Sequence, residues 1–122
     1  MKKQVLQNYI EQIDAVRFLD SSKMLKISRQ MLNEAKKDKD VYAQAYASYI
    51  YLEASYRLGK LDDKMLSIAV NALQMARDCN AYDLECKILN MLGIFFLNQG
   101  DNIAALEYYQ MAMDIAKKRH YY

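Results

Sequence analysis

The chain has 122 residues, and its 17 basic and 15 acidic side chains leave a formal net charge of +2. That balance is too even for a partner such as nucleic acid, whose binding rests on neutralising many phosphates. There is no proline and there are only three glycines, so the tight turns that sheets need are scarce, while a hydrophobic content of 53% argues against disorder. Alanine, leucine, methionine, glutamine, glutamate and lysine, which lose little entropy in a helix, fill most of the sequence and point to an all-α fold.

Taken in chain order, apolar residues at three- and four-residue steps (Leu6, Tyr9, Ile10, Ile13, Val16) predict a first helix over 3–18. The second, 22–37, follows Asp20-Ser21-Ser22, carries Met24, Leu25, Ile27, Met31, Leu32 and Ala35, and ends in Lys36-Lys37. The third, 41–58, starts after Asp38 to Asp40 and stops at Gly59; the fourth, 63–78, starts at Asp62-Asp63. The fifth, 82–98, stops at Gly100, and the sixth, 102–119, follows Asp101-Asn102 and ends in Lys117-Lys118-Arg119. Short aspartate side chains accept bonds from the free amides of a first turn, and lysines in a last turn complement the helix dipole. The basic clusters are therefore read as helix ends rather than as a phosphate site. Short connections force neighbouring helices to lie antiparallel.

No stretch approaches the roughly 18 apolar residues of a membrane span, and Asn8, Glu11 and Gln12 interrupt any signal-like core. Cys79 and Cys86 are too few for a disulfide framework. A cytoplasmic protein with no membrane partner is expected.

Internal repetition is the strongest pattern. The run from Leu89 to Gly100 parallels that from Ser48 to Gly59, 41 residues earlier, and both end in a helix-stopping glycine. Met111 to Lys117 parallels Asn71 to Arg77 at a spacing of 40, which in turn parallels Gln30 to Lys36 at 41. Three periods, about 3–38, 41–79 and 82–119, fill the chain as one domain over 1–122.

The last period carries Leu92 and Gly93 in mid-helix, Phe96 three residues on, Gly100-Asp101 at the turn, then Ala105, Tyr109 and Ala112. It resembles a tetratricopeptide repeat (TPR). Leu89 stands where that family often has Trp, and Lys117 where it often has Pro. The likeness covers Cys86 to Arg119 best. It is looser over 42–78, where Leu52 and Ser55 replace the mid-helix glycine and the aromatic and the turn after Gly59 holds one extra residue. The period exceeds the usual 34 and resembles longer bacterial variants. The resemblance implies a right-handed α-α superhelix, a solenoid of six antiparallel helices in three helix pairs, which binds a protein or peptide on its concave face.

Tyr42, Tyr46, Tyr49, Glu53 and Tyr56 fall at offsets 0, 4, 7, 11 and 14 and share one stripe of the third helix. By register with the last repeat, that stripe faces the concave side together with Arg57, Lys87, Asn90, Ile94, Leu97 and Asn98. Tyrosine offers apolar area and a hydroxyl with few torsions to freeze. Against this stands the plainer expectation that each tyrosine packs between helices. The family's clamp on a terminal carboxylate is not expected, because Tyr49, Ile50, Glu53 and Met91 occupy places where it needs basic or amide groups.

Enzyme chemistry is not expected either, and no cofactor or metal is implied. His120 has no nucleophile partner, the two cysteines lack zinc spacing, and Gly100-Asp101 is not followed by the lysine of a phosphate loop. Glu107 and Asp114, seven apart, read as a solvated face, and the eight methionines as core filling.

The sixth helix carries Ile103, Leu106, Tyr109, Met113 and Ile115, and no polar capping helix follows before Tyr121-Tyr122. Two expectations follow: either the chain is a piece of a longer protein, which is favoured, or a second copy covers the face as a homodimer. The functional expectation is a non-enzymatic protein- or peptide-interaction module. The alternative is the N-terminal sensory or regulatory region of a larger bacterial signalling protein, for example a diguanylate cyclase or a transcription regulator.

Overall fold

Four aspartates set the helix starts. Asp20, Asp40, Asp62 and Asp101 each accept a hydrogen bond from a backbone amide two or three residues on, at 3.0 Å in every case. The computed structural model describes residues 1–119, and in it the chain forms α1 (Lys3–Val16), α2 (Ser21–Lys37), α3 (Val41–Arg57), α4 (Asp63–Asp78), α5 (Tyr82–Asn98) and α6 (Asn102–Arg119). The described residues contain no strand. The protein is all-α.

The helix ends are as regular as the starts. Lys39, Gly59, Asn80 and Gly100 all have positive φ, between 54° and 80°. After each of them the next amide reaches back to a carbonyl five residues earlier: Asp40 to Ala35, Lys60 to Ser55, Ala81 to Ala76 and Asp101 to Phe96, at 2.8–3.0 Å. This left-handed stop satisfies carbonyls that would otherwise be orphaned. In two of the four turns the same aspartate closes one helix and caps the next, as Asp40 and Asp101 do. Helix α1 ends two residues before its expected limit, because the Val16 carbonyl accepts from both Leu19 and Asp20 and turns the chain early. Phe18 and Leu19 are thereby left in solvent.

Each helix packs on its chain neighbour, and α3 also touches α5 directly. The core lies in two adjoining clusters. One joins α1, α2 and α3 through Tyr9, Ile13, Met24, Met31, Ala35, Ala47 and Ile50; the other joins α3 to α6 through Leu52, Ala72, Leu73, Leu84, Ile88, Leu89 and Ala112. Tyr46, Tyr49 and Tyr51 of α3 touch both. Helix α3 is accordingly apolar almost all round and buries nine residues, α5 buries eight, and α6 only Ala105 and Ala112. Between α5 and α6 a β-carbon at Gly93 would lie 2.6 Å from the Tyr109 ring, so the glycine makes room for that ring. No helix among the described residues is long and apolar enough to cross a membrane.

Candidate protein-interaction face

Contact between α3 and α5 is direct, and α1 reaches α3 through Arg17, whose Nη1 donates to Glu53 Oε1 at 2.6 Å. Arg17 stands at the C-terminal cap of α1, still in helical conformation.

Glu53 is buried, and Arg57 on the next turn of α3 brings its Nη2 within 3.3 Å of the other carboxylate oxygen. Burial alone would lower the Arg17 guanidinium, but Glu53, with Tyr46 and Asp14, outweighs it and leaves it raised. The Arg57 guanidinium also sits 4.9 Å above the ring of Phe18. One carboxylate thus ties two helices together and fixes an exposed arginine–aromatic pair at the end of the face.

The tyrosine stripe divides into two parts. Tyr42, Tyr46 and Tyr49 are half-buried; Tyr42 and Tyr46 stack with ring centres 6.3 Å apart. Burial pushes the Tyr46 and Tyr49 hydroxyls up to about 12, and Glu53 adds to the shift at Tyr49. Tyr42 is raised too, first by burial and then by Asp83 at the start of α5. Tyr56 is 42% exposed. The upper stripe and Glu53 therefore hold helices together, and only its lower end, Tyr56 with Arg57, is open.

That open end meets residues of α5. Tyr56 and Gly59 from the α3 terminus share a cavity of about 230 Å³ with Leu61, Phe95, Asn98 and Gln99, and Leu97 stands exposed on the same last turn of α5. Ile94 is half-buried. Lys87 and Asn90 lie elsewhere: with Asp83 and Cys86 they form one wall of a larger groove, about 710 Å³, whose other wall is Tyr109, Ala112, Met113 and Ala116 of α6. The structure thus joins Tyr56 to Asn98, and separates both from Lys87 and Asn90.

Comparison with known proteins identifies no relative. Family models, curated proteins and solved structures were searched, and none matches.

Arg17 and Phe18 were not foreseen as members of the face. Nothing local marks them, since their partners lie 36 and 39 positions away, at Glu53 and Arg57. The α6 wall was readable in principle by laying α6 over α4 at the 40-residue spacing. Cys79 and Cys86 are free and partly buried, and burial, with Glu85 and Asp83, raises the Cys86 thiol. Among the described residues no group of three or more His, Cys, Asp or Glu side chains is placed to hold a metal ion. His120 and Tyr121-Tyr122 lie outside the described residues.

Proposed function

We propose that the three helix pairs form a tetratricopeptide-like superhelix that acts as a non-enzymatic module for binding a protein or peptide. The observation that carries this reading is the convergence of Tyr56 of α3 and Asn98 of α5 on one cavity, flanked by exposed Leu97 and by the Arg57–Phe18 pair. An aromatic side chain, an amide and a guanidinium at the junction of two helices supply apolar area, a directional donor and acceptor, and a fixed charge. Interfaces are enriched in such groups because they bring much contact area for few frozen torsions. The half-buried tyrosines pack α3 against its neighbours and the Arg17–Glu53 pair ties it to α1, which supports a surface ordered before a partner arrives.

The reading is tested by selecting peptides from a displayed library against the immobilised protein and measuring the enriched sequences by fluorescence polarisation. Tyr56→Ala with Leu97→Ala should weaken binding at least about tenfold, or roughly 1.4 kcal/mol. Both side chains are exposed, so the thermal midpoint should move by no more than about 2 °C. Val70→Ala, exposed on α4, should leave binding unchanged. Undiminished binding by the double variant, or loss with Val70→Ala, removes the site from this face.

A further inference from the structure

The groove between α5 and α6 has a filled counterpart inside the molecule. At the repeat spacings, Cys86, Ala112, Met113 and Ala116 correspond to Ala45, Ala72, Leu73 and Ala76. Those four are fully or almost fully buried, because α5 packs on α3 and α4 and shares a core with them. Leu73 is 7% exposed and its counterpart Met113 is 50% exposed; Leu106 is 66% exposed. The α5–α6 surface is therefore built like a helix seat.

The side chains that enter such a seat also recur. Helix α3 enters the first seat with Ala43, Ala47, Ile50 and Ala54, and α5 enters the second with the matching Leu84, Ile88, Met91 and Phe95, all buried. The spacing is 0, 4, 7 and 11. Helix α6 offers the same spacing on its open side with Leu106, Gln110, Met113 and the stem of Lys117, preceded by exposed Ile103. By contrast, the exposed side of α1 is polar, with Gln4, Gln7, Asn8, Glu11 and Gln12. A head-to-tail contact through α1 is thus a poor match.

We infer that the occupant of the α5–α6 seat is α6 of a second copy of this chain, each copy seating the other about a two-fold axis near Gln110. Charge selects the antiparallel arrangement. It brings Asp101 at the start of one α6 level with Lys117, Lys118 and Arg119 at the end of the other, and it opposes the two helix dipoles. A parallel arrangement would set the basic ends together. Centring on Gln110 places Leu106 of each copy against Met113 of the other. Such an interface is isologous and closes at two. With Gln110 and Lys117 in the stripe it is wetter than the internal seats, so the dimer is reversible.

Sedimentation equilibrium on the whole chain tests this. The mass should rise from one chain to two between roughly 1 and 200 µM, a range suited to an association of micromolar strength. Leu106→Glu with Met113→Glu should keep full helicity by circular dichroism, since both residues are exposed, and should weaken dimerisation more than tenfold. Gln110→Cys should cross-link to its own counterpart on mild oxidation, whereas Phe18→Glu, on the α1–α2 turn, should dimerise as the parent does. A single-chain mass throughout, a dimer that survives the double glutamate variant, or failure of Gln110→Cys to cross-link in a dimeric sample would overturn the inference. So would capture of a foreign amphipathic helix on this face by a protein that stays single-chain. Peptide binding at Tyr56 should persist in the double glutamate variant, which keeps this result separate from the fate of the interaction face.

Discussion

Glu53 and the tyrosines around it account for much of the chemistry that is buried here. The carboxylate is paired twice, by Arg17 from α1 and by Arg57 from its own helix. Tyr46 and Tyr49 keep their protons more tightly than usual, with values pushed up to about 12 chiefly because burial disfavours the phenolate. In the unfolded chain a tyrosine titrates near 10, so above that pH the unfolded form releases protons first and gains. Stability from these groups is complete below about pH 10 and is lost as pH climbs towards 12. Urea midpoints should accordingly fall from about pH 9.5 to about pH 11.5, a window that spans the ordinary tyrosine value. Absorbance at the phenolate band should show a late class of tyrosines, and Tyr46→Phe with Tyr49→Phe should flatten the fall. A single titration step with no change in midpoint would show that burial does not hold these protons.

The residue scale also shows what a sequence can reveal. Asp20, Asp40, Asp62, Asp101, Gly59 and Gly100 were legible as helix boundaries because capping and left-handed stops act within a few residues. The positive φ of Lys39 was not, since nothing about lysine favours it; the turn geometry shared with Gly59, Asn80 and Gly100 imposes it. The burial of Glu53 was not legible for a different reason. It was expected on the stripe that faces a partner, but it is buried and pairs with Arg17, 36 positions away. Pairing at that distance in the chain leaves no local trace.

At the scale of elements, the α5–α6 contact turns on Gly93. A methyl group there would meet the Tyr109 ring at 2.6–2.8 Å. Glycine in mid-helix normally costs about 0.5–1 kcal/mol against alanine, so an exposed replacement would stabilise. Here overpacking wins: Gly93→Ala should destabilise by about 1–3 kcal/mol in urea unfolding. In a Tyr109→Ala background the ring is gone, and the same replacement should stabilise by about 0.5–1 kcal/mol. Equal effects in the two backgrounds would mean that the ring does not occupy the space. The resemblance marked Gly93 and Tyr109 as motif positions, but that one makes room for the other, and that the tyrosine stripe divides, was not legible, because periodicity gives the face of a helix but not how far its neighbours cover it.

At the scale of the molecule, each core cluster draws its side chains from at least three helices. The α3 helix serves both core clusters, α5 rests on α3 and α4, and the outer helices are covered on one side only. In the proposed superhelix, nearest-neighbour contacts hold the units together, so stability should be highest in the middle and fall towards the ends. The six helices were foreseeable from composition and caps; the difference in burial between α3 and α6 was not, since both carry similar numbers of apolar residues. Native-state hydrogen exchange on the Leu106→Glu, Met113→Glu variant, in which α6 is left uncovered, tests the stacking most directly. The slowest amides should lie in α3 and α5, with α1 and α6 opening at distinctly lower free energies. Convergence of the slowest amides in all six helices on one opening free energy would instead describe a single closed bundle.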